Sequence, residues 1–173
     1  PAHPDRARLN IAEHGRHAGS PLAGVKVTSW LNNVWHLAEA QTQGWDEVVL
    51  LNERGEVAEC TTANIFCVKN GTVRTPPLSS GCLEGVTRSV LLEIAPRAGV
   101  SLIEQTLMPE DLYSAEEVFI TSTNRSLLGV SELAGRKYSV VMGPIVQKLE
   151  GAFNAAMHEY VKQRAANAAK ADS

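Results

Sequence analysis

Lys26 follows the small apolar run Leu22-Ala23-Gly24-Val25 and stands just ahead of a helical pattern. Apolar neighbours disfavour an ammonium ion, and an amine freed of its proton is a nucleophile at neutral pH. Glu59 closes an expected strand just before Cys60-Thr61-Thr62-Ala63-Asn64, where a carboxylate can pair with a protonated heterocycle nitrogen. Gly85-Val86-Thr87-Arg88 opens a helix directly after a glycine-containing loop. Free N–H groups, the helix dipole and a threonine hydroxyl converge there on an anion. Ser122-Thr123-Asn124 ends another strand with three short hydrogen-bonding side chains able to complete a phosphate cup. Singly, each has an ordinary reading as a solvated lysine, a turn carboxylate, an N-cap or a loop. Their order along the chain is the informative feature.

Other chemistries lack their residues. The sequence holds no G-x-x-x-x-G-K-[ST] phosphate loop, no strand–G-x-G-x-x-G–helix unit, no H-E-x-x-H and no G-x-S-x-G. His14 and His17 are three apart, but nothing nearby would complete a metal site. Cys60, Cys67 and Cys82 form no C-x-x-C pair, which points to three separate buried or half-buried thiols and a reducing cytoplasm. A net charge of −3 gives no reason to expect nucleic acid or anionic membrane as a partner, and no apolar run is long enough to span a bilayer. With 173 residues, 44% hydrophobic and 20% charged, the chain suits one domain with a real core.

The elements that must position these residues follow from spacing and turn chemistry. Trp30, Leu31, Val34, Leu37 and Ala38 recur at helical steps over about 29–43, and Gly44 stops that helix. Strands are expected at 47–52 and 56–60 around the turn Glu53-Arg54-Gly55, then at 63–69 and 72–75 around Asn70-Gly71, a strong hairpin signal. A loop over 78–84 leads to a helix over about 86–98, with Pro96 distorting its last turn. Strands at 101–106, 117–121 and 127–133 alternate with a short helix at 109–113. A final amphipathic helix starts near Pro144 and runs to about Lys162, followed by an Ala- and Lys-rich tail over 163–173 that is expected to fray. Hairpins mixed with helices predict an α/β (mixed α+β) domain whose mixed sheet has helical cover.

In this order the segments resemble the fold-type IV (class IV) pyridoxal-phosphate enzymes. That group includes branched-chain amino acid aminotransferases, D-amino acid aminotransferases and aminodeoxychorismate lyases. The matching stretches run from "LAGVKVTSW" through "ECTTANIF", "RTPPLSSGCLEGVTR" and "DLYSAEEVFITSTN" to the Gly-Pro before the last helix, about residues 20 to 160. The resemblance implies a large C-terminal domain, a mixed sheet or pseudo-barrel with surrounding helices, over 21–162. It implies that Lys26 holds pyridoxal 5'-phosphate as a Schiff base and shuttles the proton at the substrate Cα. Glu59 would pair with the pyridine nitrogen, so that the ring accepts electrons. Leu83 would pack on one ring face, and Trp30 beside the cofactor. Val86 through its backbone, with Thr87, Ser122 and Thr123, would hold the phosphate.

The pattern departs from the family at several positions. Trp30 stands where tyrosine or leucine is common, Glu84 where proline is common, and Asn124-Arg125 where small or acidic residues often follow the phosphate threonine. The family's smaller N-terminal domain, which gives the phosphate an arginine, is not in this chain. Residues 1–20 then correspond to a linker and first strand. The resemblance implies a cytoplasmic homodimer acting on amino acid and 2-oxo acid substrates. The expected activity is transfer of an amino group, of the branched-chain type. Alternatives are D-amino acid transamination, elimination of pyruvate from aminodeoxychorismate, or a non-catalytic fragment; the isolated 173 residues are expected to bind cofactor weakly and turn over little.

Overall fold

The computed structural model describes residues 6–171. Nine strands and four α-helices follow in the order β1 (Ala7–Ala12), α1 (Leu31–Thr42), β2 (Glu47–Leu51), β3 (Val57–Cys60), β4 (Asn64–Lys69), β5 (Thr72–Thr75), α2 (Val86–Ile94), β6 (Ser101–Glu104), α3 (Pro109–Tyr113), β7 (Glu117–Ser122), β8 (Ser126–Leu133), β9 (Arg136–Lys137) and α4 (Pro144–Ala171). The strands form one mixed sheet in the order β3-β2-β1-β8-β7-β4-β5-β6, with β9 beside β8. β1 runs parallel to both β2 and β8, and β5 parallel to β6. The other pairs are antiparallel.

Chain connectivity forces this sheet to curl. β3 and β4 lie five steps apart in the strand order, about 24 Å in a flat sheet. Only residues 61–63 join them, and such a link reaches no more than about 14 Å. The sheet therefore bends into a half-barrel, and the 61–63 link lies at its opening.

Period-2 patterning serves both faces of the sheet. Ile65 and Cys67 of β4 enter one core with Val49, Leu51, Ile120, Val130 and Leu133, closed by Leu107 and Leu112. Phe66 and Val68 point the other way, to Leu91 of α2 and Val146, Leu149 and Phe153 of α4. Asn70 (φ 51°) and Gly71 (φ 73°) make the tight β4–β5 turn that their types predict.

The structure corrects three expectations. The apolar side of α1 does not face the sheet: Leu31 is 77% and Trp35 60% exposed, and the helix packs through Asn33 and Ala40. α2 stops at Ile94 because Pro96 has no N–H to continue the ladder. α4 does not end near Lys162 but continues to Ala171, because Ala, Lys, Gln and Arg are strong helix formers. Residues 172–173 of the expected tail, and the first five of the chain, lie outside the described residues.

Candidate active site

The half-barrel opens into a cavity of about 750 Å³. All eight residues expected at a site line it: Lys26, Trp30, Glu59, Leu83, Val86, Thr87, Ser122 and Thr123. They come from four separate stretches of chain, brought together by the curl of the sheet.

Glu59, the penultimate residue of β3, is buried, and its Oε2 accepts from the Leu83 N–H at 3.1 Å. Its Oε1 accepts from the Arg16 guanidinium. Burial pushes the Glu59 carboxyl above the usual carboxylate range, and the Arg16 charge opposes that shift. Asn64 at the start of β4 donates through Nδ2 to the Leu83 carbonyl at 2.8 Å, so β3 and β4 together fix the loop that precedes α2.

That loop delivers the α2 N-terminus. Gly85 is extended (φ −71°, ψ 141°) and offers no side-chain cap, which leaves the first-turn N–H groups of the helix for another acceptor. Thr87 is buried beside them. From the far strand, β7 supplies Thr121, whose hydroxyl is buried without a hydrogen-bond partner, then Ser122; Thr123 follows in the turn.

Lys26 lies on an exposed loop in the cavity wall, where Val25 also lines the cavity and both Leu22 and Val25 are more than half exposed. The apolar enclosure expected from its neighbours is absent among the described residues.

Three residues of the site were not among the site residues expected from the sequence. Arg16 pairs with Glu59 from 43 positions away. Glu47, fully buried under the cavity floor, accepts from the backbone N–H of Thr61 (3.1 Å) and Thr62 (3.2 Å) and from both hydroxyls. Arg125 lines the cavity with Nη1 3.6 Å from Glu47 Oε2. Only Arg125 stood out in the sequence, and only as a departure from the family pattern.

An exposed amine, a buried carboxylate, an uncapped helix start and an orphaned threonine hydroxyl suit a phosphorylated pyridine aldehyde. The family model for amino-transferase class IV matches residues 1–133. The chain belongs to the class IV aminotransferase family. Within it, the chain is 40% identical over 130 residues to a protein assigned as a branched-chain-amino-acid aminotransferase in Methanocaldococcus jannaschii, covering 75% of this chain and 45% of that one. The branched-chain aminotransferase of the thermophilic archaeon Thermoproteus uzoniensis, solved with norvaline, superposes with a TM-score of 0.81 at 34% identity, over 86% of this chain and 50% of that one. A protein assigned as a 4-amino-4-deoxychorismate lyase in Legionella pneumophila superposes at 0.83 with 27% identity, over 87% and 56% of the two chains. The chain thus spans about half the length of the class IV relatives it matches.

Proposed function

We propose that this chain is the cofactor-binding part of a pyridoxal-phosphate-dependent transaminase that moves an amino group from a branched-chain-type amino acid to a 2-oxo acid. One observation carries the reading: Lys26, Glu59, the uncapped α2 N-terminus and the Thr87, Ser122 and Thr123 hydroxyls share one cavity.

Bound there, pyridoxal phosphate supplies an electron sink for chemistry at the amino acid Cα. Lys26 Nζ would hold the cofactor's aldehyde carbon in the resting enzyme and, once displaced from it by the substrate's amine, would as a free amine carry the proton at the substrate Cα. Glu59 keeps a proton on the ring nitrogen, and its burial makes that charge pair strong. The first-turn N–H groups at Val86 and Thr87, the Thr87 hydroxyl, Ser122 and Thr123 hold the phosphate. Leu83 and Trp30 bound the space around the ring.

The test uses purified full-length protein, its visible absorbance and a screen of L-branched-chain and D-amino acid donors. Lys26→Ala is expected to abolish the absorbance of bound cofactor and the transfer together. A wild-type protein that takes up no pyridoxal phosphate sinks the reading. The lyase alternative has a specific support, the Legionella likeness, and is chosen if turnover needs no 2-oxo acid.

A homodimer in a reducing cytoplasm completes the proposal. Its supports are the exposed apolar side chains Leu31, Val34 and Trp35 beside the cavity and three buried free thiols. Sedimentation of the full-length protein as a monomer would overturn the first half.

A further inference from the structure

We propose that Arg125 binds the carboxylate of the substrate, with the buried Glu47 as the residue that positions its guanidinium. The proposal rests on the transaminase reading and adds to it a residue that selects for an anionic substrate group.

The cationic residues of the cavity are Arg16, Lys26 and Arg125. Arg16 is taken by Glu59. Lys26 is taken by the cofactor under the functional reading. Arg125 remains, with its side chain 24% exposed in the cavity wall.

Its donors are mostly unused. A guanidinium offers five N–H groups in a planar fork. Nη1 alone has contacts, 3.5 Å from Thr62 Oγ1 and 3.6 Å from Glu47 Oε2, both longer than a strong charge-assisted bond. Nε and Nη2 make no hydrogen bond among the described residues, and neither is buried without a partner. They are accessible on a side chain that lines the cavity.

Glu47 explains why such an arginine stays put. Its oxygens already accept from three backbone N–H groups, those of Val48, Thr61 and Thr62, and from two hydroxyls. The carboxylate is therefore rigid, largely satisfied, and able to orient Arg125 without using up its fork. Arg125 contacts the 61–62 turn, three residues past Glu59, and none of residues 85–88 at the α2 start. That placement assigns it to the substrate rather than to the phosphate.

The deciding experiment measures three quantities on the full-length protein: KM for the amino acid and the 2-oxo acid, kcat, and the Kd for pyridoxal phosphate from its visible absorbance. A non-reactive monocarboxylate, 4-methylvalerate, is titrated in parallel as a probe of the carboxylate site. Arg125→Met is expected to raise both KM values and the 4-methylvalerate Kd by about tenfold to a hundredfold, the scale of one charge-assisted contact. The kcat and cofactor Kd should hold within a factor of a few. Arg125→Lys, which keeps a charge but not a fork, should fall between wild type and Arg125→Met. A weakened cofactor Kd with unchanged KM would instead place Arg125 at the phosphate. Unchanged values throughout would make it a clamp on the 61–62 turn. Either result overturns the proposal while leaving the transaminase reading intact; absent cofactor absorbance in wild type removes both.

Discussion

Glu59 is costly to bury, and the proposed function still calls on it. Water is lost on burial and pushes the carboxyl pKa up, while Arg16 and the Leu83 N–H hold the ionised form. A glutamine keeps the shape and loses the charge. Glu59→Gln is expected to leave the protein folded and to lower kcat by about 10²-fold, the scale of a lost electrostatic partner in a closed site. A Glu59→Gln enzyme with wild-type kcat would show that the ring nitrogen needs no anionic partner here. Glu59 was legible in the sequence because it ends a strand just before a polar turn. Arg16 was not, because ten residues separate it from Lys26 and its partner is reached only once β1 and β3 share a sheet. Glu47 was legible only as the start of a strand; its role depends on the curl that brings the 61–62 turn over it.

At the scale of elements, the loop between β5 and α2 sets the proposed phosphate end of the site, and Gly85 is its tightest point. A Cβ there would lie 2.1 Å from Asn64 Oδ1, and Asn64 cannot swing away without releasing the Leu83 carbonyl. Gly85→Ala is expected to cost about 1–3 kcal/mol through local overpacking. It should also weaken cofactor binding, because the α2 start moves. Gly71→Ala is the contrasting case: nothing lies within 4 Å of the added Cβ, but φ is +73°. Its backbone strain costs about 1–2 kcal/mol, with cofactor affinity unchanged. Thermal melts and an absorbance titration on both variants separate the two effects, and equal cofactor affinities would refute the loop's role. The hairpin at Asn70-Gly71 and the short helix from Pro109 were readable from sequence, since both depend on turn and cap chemistry within a few residues. The orientation of α1 was not readable. Helical spacing marks an apolar side without saying what covers it, and here the sheet takes Asn33 and Ala40 instead.

At the scale of the whole molecule, carboxylates of the β2–β3 turn tie distant segments together: Glu53 holds the 18–19 backbone on the way to the Lys26 loop, and Glu56 holds Ser80 before α2. Glu53 is held down to about 2 by its own backbone N–H and then that of Ala18, which donates at 2.7 Å. Glu56 is likewise lowered to about 2, first by the Arg54 side chain and then by Asn52 and Ser80. Folded pKa values below the ordinary 4.5 mean that these groups bind protons more readily in the unfolded chain. Their contribution is complete above about 4.5 and is lost as pH falls through that value toward about 2. Glu59 and Glu117 act in the opposite sense, because burial raises both. Their contribution is complete below the unfolded carboxylate value and is lost as pH rises through their folded values. The two pairs together place maximum stability in the mildly acidic range. Thermal melts from pH 2 to 8 are expected to trace that maximum. Glu56→Gln should melt lower than wild type at pH 6 and lose less between pH 5 and 2, since the group that titrates there is gone. An acid limb of unchanged depth in Glu56→Gln would mean that the contacts of Glu56 with Arg54, Asn52 and Ser80 do not supply the stability lost in acid.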